Sequence, residues 1–106
     1  MAEYNVVLQL IAPPSVDRDV LEQNMLDVLR IVEVHGKDIA LGPVVSVDFA
    51  DRAIDLGFSA EAATMAQSQN MVAELLQIIE QRSKVHFTET EAKSSVAACP
   101  AEAVSA

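Results

Sequence analysis

The stretch Val45–Phe58, VSVDFADRAIDLGF, decides the fold. Val45, Val47 and Phe49 alternate with Ser46 and Asp48. Beyond Asp51-Arg52, Ile54, Leu56 and Phe58 alternate with Asp55 and Gly57. Period two with β-branched and aromatic residues is the pattern of a half-buried strand. A two-residue turn at Asp51-Arg52 pairs Phe49 with Ile54, Val47 with Leu56 and Val45 with Phe58. All three apolar pairs then share one face. Asp-Arg is not the favoured Asp-Gly turn, which leaves a longer loop open.

This hairpin needs cover for its apolar face, and the flanking sequence supplies it. Upstream, Gly42-Pro43 marks the end of a loop. Before that loop, Val20, Leu21, Met25, Val28, Leu29 and Val32 recur at helical spacing, with Glu22, Gln23, Arg30 and Glu33 on the other side. Ser15 is a suitable N-cap, Asp17 and Asp19 suit the positive helix end, and His35 sits in the last turn. Gly36 reads as a left-handed stop. The spacing predicts a helix over 16–35. Further upstream, Val6, Leu8 and Leu10 alternate with Asn5, Val7, Gln9 and Ile11, a strand over 4–11 that Pro13-Pro14 ends.

Downstream, Ser59 can cap a second helix over 60–82. Its stripe is Met65, Val72, Leu75, Leu76 and Ile79, and its wet face is Gln67, Asn70, Glu74, Gln77 and Gln81. Val85 and Phe87 alternate with His86 and Thr88, a short strand over 84–89. Residues 92–106 are Ala/Ser-rich without periodicity and read as a disordered tail, so a single domain is expected over 1–91.

The order is strand, helix, strand, strand, helix, strand. Right-handed crossovers place both helices on one face of a four-stranded antiparallel sheet. The expected fold is an α+β, ferredoxin-like βαββαβ plait. A three-stranded sheet with two helices follows if the last strand fails. Neither architecture dictates a function.

Composition narrows the classes. The chain has 106 residues, room for one domain. Sixteen acidic and seven basic residues give a formal charge of −9. Phosphate backbones are bound by Lys and Arg, and no basic run offsets this charge, so no nucleic-acid partner is expected. The apolar run from Val6 to Ala12 is interrupted by Gln9, and no segment reaches the ~20 apolar residues of a membrane span. A membrane partner is therefore not expected either. Cys99 is the single cysteine. It can form no intrachain disulfide, which suits a reducing cytoplasm.

No phosphate loop, nucleophile elbow, zinc spacing or dinucleotide fingerprint is present, and no cofactor is expected. His35 is accounted for by the helix dipole, and His86 falls on the expected edge strand. Asp48 and Asp55 should lie opposite each other on the hairpin. They are either a hard-cation site or, more simply, a solvated acidic end that protects a strand edge. Asn24 lies within the first helix's apolar stripe and must find a partner. Met25, Met65 and Met71 read as core at helical spacing.

In this fold one sheet face is left open. Val7 and Ile11 would form its apolar centre, with Gln9, Asp48, Asp55 and His86 at the rim. Aliphatic residues at the central strand point to cover by a second copy of the chain or by another protein. The primary expectation is a non-catalytic interaction or assembly module, homodimeric through this face. A small-molecule-sensing regulatory domain, with loop 36–43 shaping the site, is an alternative. A small dimeric plait-type enzyme is a third.

Overall fold

The computed structural model describes residues 2–96. The elements are β1 (Ala2–Ile11), α1 (Arg18–His35), β2 (Leu41–Asp48), β3 (Ala53–Ala62), α2 (Met65–Arg82) and β4 (Glu89–Val96). The strands form one antiparallel sheet in the order β2-β3-β1-β4. This is the expected ferredoxin-like plait. Helix α1 packs over β2 and β3, α2 over β3, and the two helices touch each other.

The helix-side face of the sheet makes the core. Val6, Leu8 and Leu10 of β1 lie beside Ile54, Leu56 and Phe58 of β3. Leu21, Val28 and Val32 of α1 and Val72, Leu75 and Ile79 of α2 close over them. Burying each such side chain is worth about 1.5–3 kcal/mol, so these rows supply most of the driving force.

Both helices start later than their stripes suggest. Asp17, not Ser15, caps α1: its carboxylate accepts the Val20 amide at 2.9 Å. Strand β3 continues through Ser59 to Ala62, and Thr64 caps α2 by accepting the Gln67 amide at 3.1 Å. The Gln67 side chain reaches back to the Ala63 amide at 2.7 Å. This Thr-x-x-Gln exchange relates to the capping box and satisfies two otherwise free donors.

The two glycines flanking the α1–β2 connection act differently from expectation. Gly36 ends α1 with φ −115°, so it is not a left-handed stop. A Cβ there would collide with the buried Leu75 side chain, so the constraint is space. Gly42 is left-handed, with φ 60°, and lies within β2 beside Pro43. A bulge between Leu41 and Val44 accommodates the pair.

The hairpin register differs by two residues from the sequence reading. Val47 pairs with Ile54, Val45 with Leu56, and Asp48 with Ala53. Phe49–Arg52 becomes a four-residue connection. Asp48 builds it by accepting the amides of Ala50 (3.0 Å) and Asp51 (3.2 Å), and Arg52 takes the left-handed conformation at φ 55°. The Arg52 guanidinium donates to the carbonyls of Pro14 (2.9 Å) and Val16 (2.7 Å), clasping the hairpin to the β1–α1 loop.

The last strand is displaced. Residues 84–88 are a connection, in which Val85 and Phe87 pack against the core edge. Strand β4 begins at Glu89, so residues 92–96 belong to the sheet rather than to a tail. Residues 97–106, including Cys99, lie outside the described residues. Among the described residues no helix is long and apolar enough to cross a membrane.

Candidate functional site: the open face of the sheet

Directly opposed residues of an antiparallel ladder share a face, so the pairings define the open side row by row. One row is Glu89, Ile11, Ala53 and Asp48. The next is Glu91, Gln9, Asp55 and Ser46. The third is Lys93, Val7, Gly57 and Val44, and the fourth Ser95, Asn5, Ser59 and Leu41.

The third and fourth rows hold the exposed apolar surface. Val7 is 47% exposed, Val44 68% and Leu41 44%. Gly57 adds no side chain between Val7 and Val44. The result is a shallow depression bounded by Asn5, Val7, Gly42, Val44 and Ser59. A strand glycine often marks close approach by another backbone or ligand. Acidic residues flank this patch: Asp48, Asp55, Glu89 and Glu91 on one side, Glu3 and Glu61 on the other. Lys93 lies at the end of the third row, 3.7 Å from Glu91, with both side chains largely exposed. Such an exposed pair contributes little to stability.

Of the residues singled out in the sequence, Val7, Gln9, Ile11, Asp48 and Asp55 all lie in these rows. Val7 is the more exposed of the two aliphatics, and Ile11 is half-buried. Asp48 and Asp55 are not opposite each other. Asp48 faces Ala53 and serves the turn, while Asp55 sits between Ser46 and Gln9. The shift of two in register removes the expected carboxylate pair. His86 occupies no sheet position, because β4 starts three residues later. Its place at the rim is taken by Glu89, Glu91 and Lys93.

Sequence reasoning missed Val44 and these β4 residues. Val44 was masked by its neighbour Val45, and only the pairing shows that Val44 turns outward. Strand β4 has no apolar alternation to find.

Chemically, the face offers association. Among the described residues no three His, Cys, Asp or Glu side chains converge to hold a metal ion. His35 and His86 are both exposed, on α1 and in the α2–β4 connection, and neither imidazole makes a hydrogen bond among the described residues.

No family model matches the chain, and no curated protein matches it. Among solved structures, the chain is similar to a de novo designed protein with ferredoxin fold (TM-score 0.51, 15% identity, 92% of this chain and 87% of that one). It is also similar to a dimeric ferredoxin-like protein from an uncultured marine organism (TM-score 0.50, 9% identity, 94% and 91%). An uncharacterized protein from Thermotoga maritima aligns with a TM-score of 0.47 at 11% identity over 92% and 98%. At these identities the likeness to the designed protein and to the marine protein shows the ferredoxin-like fold alone.

Proposed function

We propose that this domain is a non-catalytic assembly module that forms a homodimer through the open face of its sheet. The observation carrying this reading is the uncovered apolar row Val44–Gly57–Val7, extended by Leu41, on a face that no helix covers. A two-fold axis brings such a patch onto itself, so one surface provides both halves of the contact. Four strands of this length project an area on the order of 500 Å². That is modest for a protein interface and fits a dimer that responds to concentration. A similarly folded protein is described as dimeric.

Leu8, Leu10, Leu56, Leu75 and Ile79 fill the centre of the layer between helices and sheet with no exposure to solvent.

The test is the solution mass of the intact chain by light scattering, under reducing conditions, over a range of concentrations. A dimer is expected, and it should tighten as salt screens the repulsion between two copies of charge −9. Val7→Asp should yield a folded monomer with an unchanged circular dichroism spectrum. A wild-type chain that stays monomeric throughout, or a Val7→Asp variant that stays dimeric, overturns the proposal.

A further inference from the structure

On the open face the two central strands differ in height. Where β1 presents Asn5, Val7 and Ile11, β3 presents Ser59, Gly57 and Ala53 directly beside them. Asn5 and Val7 are exposed while Ser59 and Gly57 are half-buried, and Ala53 is fully buried next to a half-buried Ile11. Strand β1 is thus a ridge and β3 a groove, with Gly57 at its floor. Nothing within the chain requires glycine at that position. Of the three glycines, Gly36 is held to its size by Leu75 and Gly42 is left-handed. Gly57 is neither: its φ is not positive, and a Cβ there would meet only the Val6 carbonyl oxygen, at 4.0 Å. Glycine inside a central strand weakens it, so the cause lies with something that approaches from outside.

We infer that Gly57 is the socket of the homodimer: Val7 of each copy seats on Gly57 of the other. This rests on the dimer proposed above and gives its symmetry. Val7 and Gly57 are direct neighbours, about 5 Å apart, in the middle of the five open-face rows that run from Glu3–Glu61 to Ile11–Ala53. A two-fold axis in the plane of the interface, close to parallel to the strands and between β1 and β3, exchanges the two positions. It lays the ridge of each copy in the groove of the other. Ile11 then meets the second copy's Ala53, and the Gln9 amide can donate to the second copy's Asp55. The acidic pairs Glu3–Glu61 and Glu89–Asp48 fall in the outermost rows, where water and salt screen them.

Other axes fit less well. An axis across the strands sets Val7 on Val7 and leaves a void where Gly57 faces Gly57. An axis between β2 and β3 leaves Val7 beyond the second copy's edge strand. The axis between β1 and β3 bisects the order β2-β3-β1-β4, so all four strands of each copy overlap. With an area on the order of 500 Å² from each copy, the total reaches the lower bound for a specific interface. The twist of packed sheets sets the two strand directions about 30° apart, which keeps the fit closest at the central row.

The experiment compares the intact wild-type chain, Gly57→Val, Val7→Ala and an equimolar mixture of the two variants. Light scattering reads the dimer, native mass spectrometry its composition, and circular dichroism the fold. Gly57→Val should stay folded, because valine has room within the chain and suits a strand. Its dimer dissociation constant should rise about tenfold or more, as valine meets valine at both contacts. Val7→Ala leaves both sockets underfilled and should weaken the dimer less. In the mixture Val7 of one chain meets Gly57 of the other, and the new valine meets the new alanine. A mixed dimer tighter than either variant's own is therefore expected. A Gly57→Val chain that dimerises like wild type, or a mixture no tighter than its components, overturns this register and leaves the homodimer standing. Loss of the native circular dichroism spectrum in Gly57→Val also overturns it, because the glycine would then serve the fold. A wild-type chain that is monomeric at all concentrations overturns both proposals.

Discussion

On the helix side of the sheet, Leu8, Leu10, Ile54 and Leu56 are fully withdrawn from water, while one residue along the same strand Val7 keeps 47% of its surface. Val6 and Val7 make the contrast sharpest: two adjacent valines, one 1% exposed and the other half open. Residue type does not separate them. What separates them is the direction of the side chain and whether a second layer stands above it. The covered face is where folding energy is concentrated, and the open face can be altered with little effect on the fold. Exposed valines on an otherwise polar and acidic face are therefore better explained by association than by stability.

Substitutions should divide along this line. The largest effect is expected for Leu56→Ala, at the centre of the covered face, which should destabilise by about 2–5 kcal/mol through lost burial and a residual cavity. Urea unfolding measures it, and a loss below about 1 kcal/mol would show that the neighbours collapse into the space. Gly36→Ala should cost less, about 1–3 kcal/mol, because the new methyl group meets Leu75, which is buried and cannot move aside freely. A neutral outcome would mean that α1 can shift relative to α2. The smallest change in stability is expected for Val44→Thr, which keeps the β-branch and should stay within about 0.5 kcal/mol of wild type. The same variant should lower the dimer fraction in light scattering. An unfolding midpoint that drops as far as for Leu56→Ala would place Val44 in the fold's core rather than at an interface.

The covered face was legible in the sequence because cover imposes a pattern. Val6, Leu8 and Leu10, the α1 stripe and the α2 stripe each repeat at the period of their element, and the plait follows from their order. The hairpin register was not legible, for a definite reason. A shift of two residues leaves every side chain on the same face, so Phe49 paired with Ile54 and Val47 paired with Ile54 predict identical alternation. Phe49 is instead in the turn, where the Arg18 guanidinium stands 4.2 Å from its ring centre. Strand β4 was illegible because little covers it. Its helix-side residues are Thr90, Ala92 and Ser94, and α2 stands off from it, leaving a cleft of about 180 Å³ lined by Met65, Gln69, Val72, Ala92 and Ser94. An edge strand held by backbone pairing to β1 alone can carry Glu and Lys, which discourage unwanted strand addition. Val85 and Phe87 drew the strand assignment because they touch the core edge from a connection. Of the candidate face, Val7, Gln9, Ile11, Asp48 and Asp55 were reachable from alternation. Val44, Glu91 and Lys93 depended on registers that alternation does not determine.

The Arg52 clasp has a consequence for the order of events in folding. Its guanidinium spans 38 residues to Pro14 and 36 to Val16, and its backbone conformation is one that side chains other than glycine adopt at a cost. Neither bond can form until the hairpin and the β1–α1 loop have been brought together, so loop closure must come first. The clasp cannot guide the search. It closes once the search is over, as a latch that records completion, and the left-handed turn at Arg52 is compensated only in the finished molecule.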